Sequence, residues 1–129
     1  MVEQRTHERT SERYVGRPVA IEDGRAVVEL ETTDEMAVDE YDLVHGGFVF
    51  GAADYAAMLA VNEPTVVLVG AETSFTAPTT VGDTIRATAT VDEDADSLVV
   101  QCEVETVEEV DRVFAGRFEC AVPDDHVLS

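Results

Sequence analysis

One stretch of this sequence limits its fold more than any other. From Phe48 to Val61 every residue is apolar or small, apart from Asp54 and the hydroxyl of Tyr55. Apolar residues on all sides of a helical period are typical of a helix that is buried all round. The 14 residues of this stretch are too few to cross a bilayer. We therefore predict a core helix that other protein segments must cover.

Asp54 lies in the middle of this predicted helix. A carboxylate there is unfavourable unless it is hydrogen-bonded, paired, protonated or in contact with trapped water. It could be a structural acid bonded to nearby backbone. Buried acids with perturbed pKa values cluster at functional sites, however, so Asp54 is also a candidate catalytic residue.

Two glycines, Gly46 and Gly47, precede the apolar stretch. A Gly-Gly pair at this position is compatible with a tight turn. Without side chains, the pair also lets another molecule approach the free N–H groups at the helix start, where the helix dipole is positive. Such a position can stabilise a developing oxyanion.

The spacing between these two features predicts a homodimer. Asp54 follows Gly47 by seven residues, so the two lie on nearly the same helix face but about 10 Å apart along the axis. One carbonyl group cannot contact both. Two such helices packed antiparallel across a two-fold axis would bring the middle of one to the start of the other.

The charge of the chain narrows the possible partners. It has 28 acidic and 8 basic residues, all eight of them arginine, for a formal charge of −20. Such a surface repels nucleic acids and anionic membranes, so we expect neither as a partner. The acids are scattered, which favours a protein adapted to strong salt, where the Debye length falls to about 3 Å at 1 M. No segment resembles a signal peptide, so we expect a soluble protein in a halophile cytoplasm.

The two cysteines, Cys102 and Cys120, form no CxxC pattern and have no histidine at zinc spacing. We interpret both as small core residues on strands. We accordingly expect no metal. Gly46-Gly47 is not a GxGxxG fingerprint and the chain has no lysine for a Walker motif, so we also expect no bound cofactor.

The rest of the chain divides into an arm, a domain and a tail. Residues 1–14 are polar and predict a short surface helix or a frayed arm, in which His7 is solvated. Residues 15–122 form the domain and residues 123–129 a short tail. Within the domain, Asp23-Gly24 predicts a β-hairpin, and residues 33–44 predict a loop that borders a binding site.

Strands dominate the second half of the chain. Asn62-Glu63-Pro64 ends the helix, and a meander of four antiparallel strands follows, over residues 65–76, 84–91, 98–105 and 112–122. The first of these begins with the apolar run Val66 to Val69, which favours a strand covered on both faces. One apolar helix with enough strand to wrap it indicates an α+β roll.

The segment from His45 to Asp54 resembles the motif of the hotdog-fold acyl-CoA thioesterases of the phenylacetate-pathway (PaaI-like) type, in which His-Gly-Gly is followed after six residues by Asp. The runs 75–78, Phe-Thr-Ala-Pro, and 81–84, Val-Gly-Asp-Thr, extend the resemblance to about residues 17–122. It implies a hotdog fold, with a long central helix wrapped by a five- to six-stranded antiparallel sheet. It also implies hydrolysis of an acyl-CoA thioester to the free acid and CoA.

The resemblance further implies a role for each residue of the motif. Asp54 would act as general base on a water or as the nucleophile, and the N–H of Gly46 or Gly47 would donate to the oxyanion. His45 would orient substrate or only hold the loop. The family forms dimers or dimers of dimers with sites at the dimer interface, and no metal is required.

Further residues are candidates for substrate binding. Phe48, Tyr55 and Met58 could line an acyl pocket or belong to the core. Asp39 stands where many relatives have Asn. Arg86 could meet the phosphates of CoA, as could Arg112 and Arg117, although each could equally be an exposed ion-pair partner.

A different class of function also fits the fold implied by the resemblance. The chain could be a non-catalytic acyl-CoA-binding or regulatory module. Such a module would normally carry a DNA-binding segment, for which we expect the polar arm to be too short. A hotdog hydratase is disfavoured, because its His and Asp arrangement does not match this helix.

Overall fold

The computed structural model describes residues 1–129 as a single helix-and-sheet unit. Its elements in chain order are α1 (Glu12–Val15), β1 (Arg17–Glu22), β2 (Arg25–Glu31), a 3-10 turn (Asp34–Met36), α2 (Gly46–Val61), β3 (Val67–Phe75), β4 (Thr84–Val91), β5 (Val99–Thr106) and β6 (Arg112–Ala121). The predicted hairpin, core helix and later strands are confirmed, with boundaries that differ by one or two residues.

All six strands form one antiparallel sheet in the order β1-β2-β4-β5-β6-β3. The predicted four-strand meander is therefore wrong at its first strand: β3 pairs with β6, and β4 pairs with β2. The alternation of apolar residues located each strand but carried no information about its neighbour. The result is the arrangement that the resemblance implies, one long helix wrapped by a six-stranded antiparallel sheet.

Helix α2 begins and ends where the local chemistry predicts. His45 is its N-cap residue, and Asn62 at its C-cap has a left-handed φ of 53°. From Ala52 to Ala60 every residue except Asp54 is buried. No helix of the chain is long and apolar enough to span a membrane.

The N-terminal arm ends in the predicted short surface helix, α1, and its first residues pack on the last turns of α2, so the alternative of a frayed arm is wrong. The Arg5 N–H donates to Oδ1 of Asn62 at 2.8 Å, and Asn62 in turn donates to the Glu3 carbonyl at 2.9 Å. Gln4 donates to the Tyr55 hydroxyl at 3.1 Å. His7 is half-buried rather than solvated, and desolvation lowers its pKa. The polar sequence of the arm does not predict this packing, because the contacts are made by backbone groups and polar side chains.

Strand β3 lies at an edge of the sheet and is mostly exposed, so the expectation that it is covered on both faces is wrong for a single chain. Val69 is 62% exposed and Phe75 is 54% exposed. The apolar run that suggested burial is covered by this chain at Val66, which is 4% exposed, and in part at Leu68, which packs against the core, but not at Val69. Cys102 and Cys120 are free and buried on β5 and β6, as predicted.

Candidate active site

Asp54 is a mostly buried carboxylate without a full set of partners. Its Oδ1 atom is buried and has no hydrogen-bond partner in the chain. Desolvation raises the pKa of Asp54 to about 6 from an ordinary value of 3.8. The side chain thus has the property expected of a general base that works near neutral pH.

The charge of this carboxylate affects the pKa values of two buried cysteines. The charge of Asp54 contributes, after burial, to raising the pKa of Cys120 to about 11. The pKa of Cys102 rises to about 12, through burial first, then the charge of Glu103, then that of Asp54. Both thiols therefore stay protonated at neutral pH, and Sγ of Cys102 on β5 donates at 3.7 Å to the carbonyl of Ala53, the residue before Asp54 on α2. No group of three or more His, Cys, Asp or Glu residues is arranged to bind a metal ion.

At the start of α2, the two glycines have different hydrogen bonds. The Gly47 N–H donates to Nδ1 of His45 at 2.7 Å, which makes His45 a side-chain cap. A neutral His45 must then carry its proton on Nε2. The Gly46 N–H has no acceptor in the chain. Of the two predicted oxyanion donors, Gly46 is therefore the one that is free.

An aromatic cluster lies beside Gly46. A Cβ atom at Gly46 would lie 3.0 Å from Cε1 of Phe75, so glycine is needed for this close approach. The Phe75 ring packs edge-on against Phe114 at 5.2 Å, and Phe50 packs against Phe114 at 6.4 Å and Phe118 at 5.5 Å. Phe50 precedes Asp54 by one helical turn, so the cluster extends from the helix start towards the carboxylate.

Sequence reasoning missed this cluster as part of the site. The sequence indicates Phe75 only as part of the motif at residues 75–78, and Phe50 only as part of the apolar helix. The signal that could have found them is the helical spacing of Phe50 and Asp54, which places both on one face of α2.

The three predicted binding residues on α2 have different surroundings. Phe48 is half-buried, with its ring 6.2 Å from those of His45 and Tyr14. Tyr55 is 5% exposed and is covered by the N-terminal arm through Gln4. Met58 is 1% exposed in the core. Of these three, only Phe48 lies at the helix start.

Asp39 and Arg86 make structural contacts instead. Oδ1 of Asp39 accepts the N–H groups of Tyr41 at 3.0 Å and Leu43 at 3.3 Å, which shapes the loop before the helix. Arg86 alternates on β4 with the buried Ile85 and Ala87, so it lies on the sheet face turned away from α2. There it donates to Glu29 at 2.8 Å. Arg86 is therefore an ion-pair partner in the single chain, which is one of the two alternatives that the sequence left open, and its contact with CoA stays a prediction.

Most arginine side chains of the chain are paired with a glutamate. Seven of the eight pair with glutamate: Arg5 with Glu63, Arg13 with Glu35, Arg17 and Arg86 with Glu29, Arg25 with Glu22, Arg112 with Glu103, and Arg117 with Glu119. Only Arg9 has no such partner. A polyanionic ligand would therefore find little free positive charge on one chain.

Comparison with known families gives one match that spans more than half of the chain. The model described as the thioesterase superfamily matches residues 41–112. These residues include the glycine pair, Asp54 and strands β3 to β5.

Solved structures of similar shape include an uncharacterised protein from Pyrococcus horikoshii. It is 55% identical, has a TM-score of 0.93, and the match covers 99% of this chain and 98% of that one. The Escherichia coli PaaI protein of the phenylacetic acid degradation operon is 26% identical, with a TM-score of 0.76 over 85% of this chain and 80% of its own. A Streptococcus mutans protein solved with acetyl-CoA is 21% identical, with a TM-score of 0.78 over 93% of this chain and 97% of its own, which shows a shared fold.

Among curated proteins, the chain resembles methylthioribose-1-phosphate isomerase from Aquifex aeolicus. The two are 46% identical over 117 residues, which is 88% of this chain. The chain spans only about a quarter of that protein, since the match covers 25% of its length.

Proposed function

The chain belongs to the thioesterase superfamily, and we propose that it hydrolyses an acyl-CoA thioester to the free acid and CoA at a site shared by two copies. The observation that carries this proposal is Asp54, whose buried Oδ1 has no partner and whose pKa is raised to about 6. A core position with an unsatisfied carboxylate is costly for folding, and a catalytic role would account for its presence.

The proposed reaction uses two groups. The Asp54 carboxylate accepts a proton from water while the water oxygen attacks the thioester carbonyl carbon. The Gly46 N–H donates to the oxyanion that forms. The tetrahedral intermediate then collapses, the C–S bond breaks, and the CoA sulfur leaves with the proton held by Asp54. Alternatively the carboxylate itself attacks the carbonyl carbon and the C–S bond breaks to release CoA thiolate. Water then hydrolyses the mixed anhydride to the free acid and the Asp54 carboxylate, and the thiolate takes up the proton that is released.

One chain cannot bring these two groups together. Gly46 and Asp54 are eight residues apart in α2, so about 12 Å of helix separates them. The exposed edge of β3 supplies a way to complete the site. Antiparallel pairing of β3 with the same strand of a second copy would cover its apolar side chains and its unpaired backbone groups. We therefore propose a homodimer, with the dimer of dimers as a further possibility.

The comparisons support the same class of reaction. The PaaI protein supports a PaaI-like enzyme, and the neighbour solved with acetyl-CoA supports an acyl-CoA ligand. We do not assign the isomerase activity of the Aquifex relative, because the match covers a quarter of that protein and the family match is to thioesterases. The charge of −20 further supports a role in a salt-rich cytoplasm, where screening would reduce repulsion of CoA.

The test is release of free thiol from a panel of aryl-, short- and medium-chain acyl-CoA esters in high salt. Asp54→Asn is compared with the parent and with Asp96→Asn, which makes the same charge change at an exposed turn. We expect the parent and Asp96→Asn to hydrolyse one class of ester, and Asp54→Asn to lose at least about a hundredfold in rate while remaining folded. Equal rates in all three proteins would refute a catalytic Asp54. Binding without turnover would favour the non-catalytic acyl-CoA-binding module.

The dimer is tested separately by Val69→Lys, which places a charge on the exposed apolar edge of β3. We expect Val69→Lys to sediment as a monomer and to release thiol more slowly than the parent. A dimer that persists unchanged would refute pairing through this edge.

A further inference from the structure

The ring of Phe75 lies directly beside the free N–H of Gly46. A Cβ atom added to Gly46 would lie 3.0 Å from Cε1, 3.3 Å from Cζ and 3.5 Å from Cδ1 of this ring. A carbonyl oxygen that accepts a hydrogen bond from the Gly46 N–H lies about 3 Å from the nitrogen. A substituent on that carbonyl carbon therefore comes within contact distance of the Phe75 ring.

Phe75 is on the face of the sheet that α2 covers. Its partner across the β3–β6 ladder is Phe114, which contacts Phe50 of α2, and residues directly opposite each other on paired strands share a face. Pairing of β3 with a second copy would use the backbone groups at the strand edge, so it does not by itself occupy the ring. Because the ring and the Gly46 N–H are neighbours, a dimer that leaves this donor open to a thioester leaves the ring open as well.

Other aromatic rings fill the space behind Phe75. Its ring packs edge-on against Phe114 with the centroids 5.2 Å apart, and Phe114 stacks on Phe118 at 6.3 Å. Both of these rings are 0% exposed. A Cβ atom added to Gly116, between them on β6, would lie 3.0 Å from Phe114 and 3.3 Å from Phe118, so even a methyl group would crowd the rings. The Phe75 ring therefore cannot move inward to make room for a larger ligand.

These rings distinguish the two sides of a bound thioester. A phenyl ring offers no hydrogen-bonding group, and burial of amides or phosphates without partners is unfavourable. CoA carries both of these groups, whereas the acyl group can be wholly apolar. The acyl side of the thioester therefore faces the Phe75 ring, and the CoA side faces away from it.

We propose that Phe75 is the end wall of the acyl-binding site and limits this enzyme to short acyl groups. This inference rests on the proposed function and adds the class of acyl group that the enzyme accepts. A short acyl group fits between the Gly46 N–H and the ring, whereas each further methylene meets a ring that Phe114 holds in place. One surplus methylene in an apolar site of this kind lowers kcat/KM by about tenfold or more.

The test compares kcat/KM for acetyl-, butyryl- and octanoyl-CoA between the parent and Phe75→Ala, by thiol release in high salt. We expect the parent to prefer the two shorter esters, and Phe75→Ala to raise the octanoyl-to-acetyl ratio about tenfold. The ratio decides the test, because a loss of stability or of the dimer lowers the rates for all esters together. Tyr41→Ala removes another aromatic ring, 81% exposed in the loop before α2, and should leave the ratio within about twofold of the parent's value.

Phe75→Leu is the second variant and keeps an apolar side chain without the ring. We expect it to raise the octanoyl-to-acetyl ratio by about threefold, and it decides the test if Phe75→Ala does not form a folded dimer. A parent that prefers octanoyl-CoA, or a ratio that both variants leave within about twofold of the parent's value, would overturn the proposal. A loss confined to benzoyl-CoA would also overturn it, because the ring would then stack on an aryl group instead of ending the site.

Failure of the proposed hydrolysis is recognised separately, by titration calorimetry of the same esters. The proteins are Asp54→Asn and Asp54→Asn with Phe75→Ala, which the proposed mechanism leaves unable to consume the ligand. If no protein releases thiol, but Phe75→Ala raises the affinity for octanoyl-CoA relative to acetyl-CoA, hydrolysis is refuted and the end wall is supported. If the parent releases thiol and Phe75→Ala changes neither ratio, the end wall alone is refuted.

Discussion

Replacing Asp54 by Asn should stabilise the protein at neutral pH. Burial raises the pKa of Asp54 to about 6 from 3.8, so its proton binds more tightly in the folded chain than in the unfolded chain. The destabilisation by Asp54 therefore disappears well below pH 3.8, the pKa of Asp54 in the unfolded chain, because Asp54 is then protonated in both the folded and the unfolded state. As the pH rises towards 6 and above, the folded state must bury a charge that the unfolded state leaves in water.

The size of this effect follows from the two pKa values. Their difference, multiplied by about 1.36 kcal/mol per unit, gives about 3 kcal/mol of destabilisation at pH 7 and roughly half of that at pH 5. Asn has nearly the same shape and no charge to desolvate. The free energy of unfolding of Asp54→Asn minus that of the parent should therefore rise by about 2.5 kcal/mol between pH 3.8 and pH 7.

The assay is urea denaturation of both proteins at matched concentration and salt, from pH 4 to pH 8, because a dimer's stability depends on concentration. Asp96→Asn serves as the control and should track the parent across the range. A difference between Asp54→Asn and the parent that stays within about 0.5 kcal/mol over the whole range would refute the reasoning. It would mean that the carboxylate is solvated or paired in solution.

Three further predictions concern the site. If Asp54 is the base, kcat/KM should rise with pH to a plateau above about 6, since only the ionised carboxylate accepts a proton; a rate that is flat from pH 5 to pH 8 would contradict this. Gly46→Ala should lower kcat about fivefold by pushing on the Phe75 ring, and Phe75→Ala in the same chain should restore part of the rate; no rescue would indicate a different cause. His45→Asn should keep both the helix cap and the activity, whereas His45→Ala should cost about 1 kcal/mol of stability; loss of activity in His45→Asn would show that the imidazole itself contacts substrate.

The core helix and its caps could be predicted because their signals are local. The apolar stretch, the residue before Gly46 and the Asn-Glu-Pro run each act within one or two turns. The partner of β3 could not be predicted, because β6 and β4 are both alternating strands and nothing in β3 itself selects between them. The docking of the N-terminal arm was missed for a related reason: its contacts with Asn62 and Tyr55 are polar and lie more than 50 residues away in sequence.

For the candidate site, the sequence indicated candidate residues but not the contacts that each of them makes. The sequence indicates Asp54 because a carboxylate inside an apolar helix is unfavourable. In the structure, no hydrogen bond to Oδ1 offsets this unfavourable burial. The sequence could not predict which of Gly46 and Gly47 keeps a free N–H, because this depends on the position of the His45 ring and therefore on a side-chain rotamer. For Arg86, alternation along β4 gave the correct face, but its pairing with Glu29 depends on the register of β2 against β4, which the sequence does not give.

Three features of the single chain share one explanation. The apolar edge of β3 is uncovered, the Gly46 N–H has no acceptor, and Oδ1 of Asp54 has no donor. The last two cannot satisfy each other, because about 12 Å of helix separates them. An exposed apolar edge, however, is a surface on which a second copy can pack, and a two-fold axis exchanges the two ends of β3. In the homodimer proposed above, the end of β3 near Phe75 and Gly46 in one copy would lie beside the start of β3 in its partner, so that the free N–H of each copy would approach the other chain.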